Sequence, residues 1–91
     1  MPKVEKNGDR YFFWCPGCDE NHAPSTLWTF NGDYEKPTFS PSILVRAPDP
    51  DNPGKYVRVC HSFVREGQIQ FLSDCTHKLA GQTVDLPEYD T

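Results

Sequence analysis

The chain has 91 residues, 36% of them hydrophobic, and a formal charge of −4. This describes one small domain with a thin core, since a chain this short buries only about 60–65% of the surface its unfolded form exposes. The acidic balance disfavours a nucleic-acid binder that works through phosphate contacts, and no apolar run approaches the roughly 20 residues of a membrane span.

The N-terminal "MPKVEKNGDR" lacks the hydrophobic segment of a signal peptide. The expected location is therefore cytoplasmic, where paired cysteines bind metal more often than they form disulfides. Asn7-Gly8-Asp9 is a hairpin signal that delivers the aromatic strand Arg10 to Cys15, and Asn31-Gly32-Asp33 predicts a second turn between "LWTF" (27–30) and "YEK". "SILV" (42–45) and "KYVRV" (55–59) read as short strands separated by "APDPDNPG" (47–54), whose prolines and glycine forbid regular structure. "VRVCHSFVREGQIQFLSDC" (57–75) alternates, turns at Glu66-Gly67 and alternates again, which predicts a second hairpin. "THKLAGQ" (76–82) allows one turn ending at Gly81, and "LAGQTVDLP" (79–87) predicts either an edge strand docked on the sheet or a tail that pairs with a partner. Trp14, Trp28, Phe30, Tyr34 and Phe39 are expected mostly in the core. The fold class is mainly β: a zinc-ribbon-like domain over 1–91, built of antiparallel hairpins with long loops and little helix.

A two-residue turn at Glu66-Gly67 sets Val64 opposite Ile69, Ser62 opposite Phe71 and Cys60 opposite Ser73. Side chains alternate between faces, so Cys60 shares one face with Val64, Ile69, Phe71 and Cys75. Val59, His61, Phe63, Leu72 and Asp74 share the other. Cys15 and Cys18 are separated by Pro16-Gly17, a reversal tight enough to bring both sulfurs to one ion. A Cys-x-x-Cys knuckle on one hairpin and two thiols on another is the logic of a zinc ribbon, in which four ligands close a tetrahedral structural site. The common knuckle has glycine after its second cysteine; here Asp19 stands there. A redox pair would need a helix starting at Cys15, and "DENHAPS" follows instead. The expected metal ligands are Cys15, Cys18, Cys60 and Cys75, with structural zinc as the ion.

His61 and His77 are the alternative ligands, and His22 reads as a surface histidine past the knuckle or a further alternative. His61 and Asp74 lie diagonally on one face, where an aspartate can hold a histidine tautomer for general-base work or behind a metal ligand. The bland alternative has Asp74 capping the turn at Thr76 while His61 packs on Leu72. No nucleophile–base constellation is legible, so no catalytic residue is assigned.

Together "WCPGC…H" (14–22), "FNGDYEKPTFSPSILV" (30–45) and "CHSFVREGQIQFLSDCTHKLAGQTVDLP" (60–87) resemble a family of small phage and prophage proteins. Some members carry the label ammonia monooxygenase, a membrane-bound class for which this chain has no membrane segment. The resemblance implies a small cysteine/histidine metal-binding domain, in the host cytoplasm if phage-encoded. A more distant likeness, to a domain with a Cys-rich knuckle and an "SPSI" strand, implies Cys15, Cys18, Cys60 and His61 as the retained polar set. The leading functional expectation is a non-enzymatic module that binds a protein partner. Its rivals are a metal-dependent hydrolase using His61, Asp74 and His77, and a nucleic-acid-binding zinc ribbon.

Overall fold

The computed structural model describes residues 2–89. Among them every regular element is a strand and every pairing is antiparallel. The first hairpin joins β1 (Glu5–Asn7) to β2 (Arg10–Cys15) through Gly8-Asp9, as the Asn-Gly signal requires. From Cys15 the chain reverses through Pro16, Gly17, Cys18 and Asp19 into β3 (Glu20–His22), with Cys15 paired to Glu20. Asp19 takes the left-handed φ of +53° that the knuckle needs, a conformation aspartate reaches more readily than most non-glycine residues. The β1-β2-β3 sheet therefore ends at the two cysteines.

The second Asn-Gly-Asp does not make the tight turn expected of it. β4 (Thr29–Phe30) pairs with β5 (Phe39–Ser40), and residues 31–38 loop between them. Side-chain hydrogen bonding captured this segment: Asn31 Oδ1 accepts from the Asp33 and Thr38 amides, and Asp33 Oδ1 from those of Glu35 and Lys36. Asparagine and aspartate often substitute their own oxygens for a hairpin ladder in this way.

The largest sheet has the order β6-β7-β8-β9: β6 (Ile43–Pro48), β7 (Tyr56–Arg65), β8 (Gln68–Phe71) and β9 (Thr83–Asp85). The β7–β8 register is the expected one, with Val64 opposite Ile69 and Ser62 opposite Phe71. The turn residues Glu66 and Gly67 have φ of +50° and +77°. Gly67 is also tightly enclosed, because a Cβ there would lie 3.2 Å from Lys36 Cα. The expected Cys60–Ser73 pairing is absent, since β8 ends at Phe71 and the chain swings away. Residues 76–82 form turns without a helix, and β9 then adds to β8 as an edge strand.

One core joins the sheets. Val4 and Phe13 of the N-terminal hairpin pack with Phe39, Ile43, Val64, Ile69, Phe71 and Leu86, together with Cys15, Cys60 and Cys75. Burying each large apolar side chain contributes roughly 1.5–3 kcal/mol. Of the five aromatics expected inside, Phe39 is buried, Trp28 and Phe30 are half-buried, and Trp14 and Tyr34 reach solvent. An aromatic row runs from Phe30 across Phe39 and Phe13 to His22, with centroid spacings of 4.9, 6.2 and 5.6 Å. It ties the loop-bearing hairpin to the knuckle.

Candidate active site and metal centre

β7 carries two neighbouring residues whose side chains leave opposite faces of the sheet, Cys60 inward and His61 outward. Each belongs to a different constellation.

On the inner face Cys15, Cys18, Cys60 and His77 bring their donor atoms within 4.8 Å of one another. The Cys15 and Cys60 sulfurs are 3.9 Å apart, and Cys60 Sγ is 3.4 Å from His77 Nε2. Cys15 and Cys60 are buried, Cys18 and His77 partly so. This group could hold a metal ion. The space is fitted to the imidazole: a Cβ at Gly17 would come within 2.3 Å of the His77 ring. Glycine is required there to let the ring approach, not for an unusual φ.

The thiol electrostatics are of the kind a bound cation would relieve. The hydrogen bond from Cys60 holds the Cys15 thiol down at about 4, against its burial and with help from His22. Cys18 is pushed up to about 11 by burial and then by the charge on Cys15. Cys60 is pushed up first by serving as donor to Cys15 and then by burial. Charge on one thiol disfavours charge on the other two, and a cation between them would offset that repulsion. His77 Nδ1 accepts the Leu79 amide at 3.2 Å, so the neutral ring carries its proton on Nε2, toward Cys60. Uptake of a cation at Nε2 would move that proton to Nδ1 and release the Leu79 contact.

Cys75, expected as the fourth ligand, lies outside this group, and His77 stands in its place. The reason is the early end of β8. Beyond Phe71 the chain turns so that the Cys75 thiol faces the backbone of His61: the His61 amide donates to Sγ at 3.2 Å, and Sγ–H reaches the His61 carbonyl at 3.2 Å. The Leu72 amide also donates to that carbonyl at 2.9 Å. Thr76 continues the attachment through the Val59 amide and carbonyl. His22 is buried rather than on the surface, edge-on to Phe13 and beside the Cys15 thiol, outside the ligand group.

On the outer face His61 Nδ1 lies 3.2 Å from Asp74 Oδ2, and His61 Nε2 lies 3.0 Å from Ser42 Oγ. An ionised carboxylate only accepts, so Nδ1–H donates to Asp74, and Nε2 is free to accept the serine proton. The His61–Asp74 pair expected from strand parity is present, and Asp74 orients the ring rather than capping the turn at Thr76. Ser42, which sequence reasoning missed, completes the set. It directly precedes β6, and the β6–β7 register sets Leu44 opposite His61. Two residues before Leu44, Ser42 lies on the same face and diagonal to the imidazole. The pairing of "SPSILV" with "VCHSF" was the signal that could have found it. His77, counted with His61 and Asp74 as a possible active-site group, turns to the other face.

A serine hydroxyl, an imidazole and a carboxylate in this order could serve as nucleophile, base and orienting group, an arrangement recognised by geometry rather than by position in sequence. No described helix is long and apolar enough to cross a membrane. No curated protein and no solved structure shows a significant match to the chain. A family model does: it covers residues 2–72, including Ser42 and His61, and stops two residues before Asp74. Over that stretch, most of its length, the chain belongs to the BubE family, described as the bacterial ubiquitination-like system serine protease.

Proposed function

We propose that this chain is a serine peptidase in which Ser42 is the nucleophile, His61 the general base and Asp74 the residue that positions His61. The observation that carries the reading is the 3.0 Å approach of Ser42 Oγ to His61 Nε2, with Asp74 behind the same ring. Ser42 Oγ attacks the substrate carbonyl while its proton passes to Nε2. The carboxylate of Asp74 stabilises the imidazolium that forms and keeps the ring in the productive tautomer. Collapse of the tetrahedral intermediate breaks the C–N bond, and the leaving amine takes the proton from Nε2. His61 then deprotonates a water that attacks the acyl-serine, releasing the acid and restoring Ser42. The family's description supports a protein partner, and a substrate within a bacterial ubiquitination-like system is part of this proposal.

The Cys15, Cys18, Cys60 and His77 group acts in this reading as a structural zinc site. Two Zn–S bonds of about 2.3 Å at the tetrahedral angle set sulfurs about 3.8 Å apart, close to the Cys15–Cys60 spacing of 3.9 Å. Three thiolates and an imidazole leave no protein-free position, which suits a closed structural site and assigns the chemistry to Ser42.

The test is reaction of the purified protein with a fluorophosphonate, followed by peptide mapping. Labelling at Ser42 that disappears in His61→Ala supports the serine mechanism, and Ser42→Ala is expected to lower peptide cleavage by about 10³-fold or more. A protein that takes no label while remaining folded would overturn it and return the reading to a non-enzymatic binding module. Elemental analysis of the same sample, with one zinc lost in Cys60→Ser or His77→Ala, checks the metal assignment.

A further inference from the structure

β6 is an edge strand of the largest sheet. The direction of its free backbone groups follows from its neighbour. His61 turns its amide and carbonyl toward residues 72–75, and Val59 turns both of its groups toward Thr76. Alternation then directs Cys60 and Ser62 toward β6, where they pair with Val45 and Ile43. The residues between these on β6, Leu44 and Arg46, sit opposite His61 and Val59, so their N–H and C=O groups face away from the sheet. The register breaks at the bulge between Ala47 and Pro48, which limits the usable edge to its first part.

That edge opens on a groove of about 290 Å³, bounded on one side by Ile43 and Leu44 and on the other by Ala23, Pro24, Ser25 and Trp28. The facing wall offers little competing pairing: Ala23 O accepts from Arg10, Pro24 has no N–H, and Pro24 O accepts from Tyr11. Trp28 Nε1 is buried without an acceptor among the described residues. Leu44 is 45% exposed beside the triad. The nucleophile stands at the first end of this strand, so whatever lies along Leu44 and Arg46 is delivered to Ser42.

We infer that the substrate of the proposed peptidase is an extended polypeptide segment, which adds as a strand to the outer edge of β6 and presents its scissile bond to Ser42. The inference rests on the serine-peptidase reading and gives it a substrate class: a flexible tail or linker rather than a folded loop or a small ester. Two outward residues on β6 pair with about four residues of substrate, since a strand exposes its groups to one side at every second position.

The experiment uses the full chain and a synthetic library of unstructured decapeptides, with cleavage read by mass spectrometry. Three comparisons are made: wild type against Leu44→Pro, wild type against Leu44→Ala, and each cleaved decapeptide against forms N-methylated at the second and fourth residues on either side of its scissile bond. Proline at 44 removes only an N–H that the sheet does not use, a substitution edge strands accept. Fluorophosphonate labelling of Ser42 at the wild-type rate reports that the triad of each variant is intact. Strand addition predicts cleavage slowed about tenfold or more in Leu44→Pro, with labelling unchanged and Leu44→Ala affected less. It also predicts a similar loss for methylated decapeptides on the wild-type protein, a result that stands even if Leu44→Pro does not fold. Methylated decapeptides cut at undiminished rates would overturn the inference, as would a labelled wild type that cleaves no decapeptide; both leave Ser42 as a nucleophile. Absence of labelling at Ser42 removes the serine-peptidase reading and this inference with it.

Discussion

The two faces of β7 differ in almost every respect. Inward, Cys60 is 1% exposed and sits in a closed group of four donors beneath the aromatic row. Outward, the His61 side chain is 27% exposed and its partner Asp74 57%, in an arrangement open to solvent. A strand alternates its side chains with period two, so a single peptide bond separates a buried group from an exposed one. The comparison shows how one short strand can carry residues of two chemically different groups, one buried and one exposed.

Mutations on the two faces should therefore fail in different ways. The largest effect on folding is expected on the inner face. Removing the metal with a chelator, or replacing Cys60 by serine, should unfold the domain, because in small metallo-domains binding free energy is folding free energy; far-UV circular dichroism with and without added zinc reads this directly. A variant that stays folded without metal would make the inner site dispensable and break the contrast. On the outer face Asp74→Asn should leave the melting temperature near the wild-type value while lowering peptide cleavage by about 10²–10⁴-fold, through the wrong imidazole tautomer.

Cys75 lies between the two regimes. Its thiol serves the amide and carbonyl of His61, so Cys75→Ala leaves a part-buried backbone donor short of a partner and should cost about 1 kcal/mol in urea unfolding, with zinc content unchanged. Cys75→Ser, which keeps a donor and an acceptor, should recover part of the loss; zinc loss in either variant would instead return Cys75 to the metal. Gly17→Ala should displace the His77 ring and weaken zinc binding by about 10–100-fold in a chelator competition, while fluorophosphonate labelling of metal-loaded protein continues. The smallest effect belongs to Arg58→Ala. It breaks the 2.6 Å ion pair with Glu20, but both side chains are about two-fifths exposed, and the change should lie below about 1 kcal/mol.

Turn signals read correctly where no side chain competes for the backbone groups of the turn. Asn7-Gly8 and Glu66-Gly67 place the β1–β2 and β7–β8 turns where their dihedral demands fall, and alternation through 57–71 places Cys60 and His61 on opposite faces. The Asn31-Gly32-Asp33 signal failed because its side chains found backbone amides within the same loop, a competition the tripeptide alone does not reveal. Cys75 lies outside the expected group for a different reason. The alternating pattern extends past Phe71, but the chain leaves the sheet there, and one change of direction exchanges Cys75 for His77 at the ligand group.

The sequence by itself determined the β-rich class, the knuckle at Cys15 and Cys18, Cys60 on the opposing hairpin and the His61–Asp74 pair, because turn chemistry and two-residue periodicity act over a few residues. Only the tertiary structure decided that His77 joins the three cysteines and that Ser42 meets His61. Ser42 meets His61 through the β6–β7 register, which is set by core packing of Ile43 and Val45 across an irregular loop and not by any short motif. Contacts of that kind join residues far apart in the chain, and their alignment emerges only when the buried faces of both strands are packed at once.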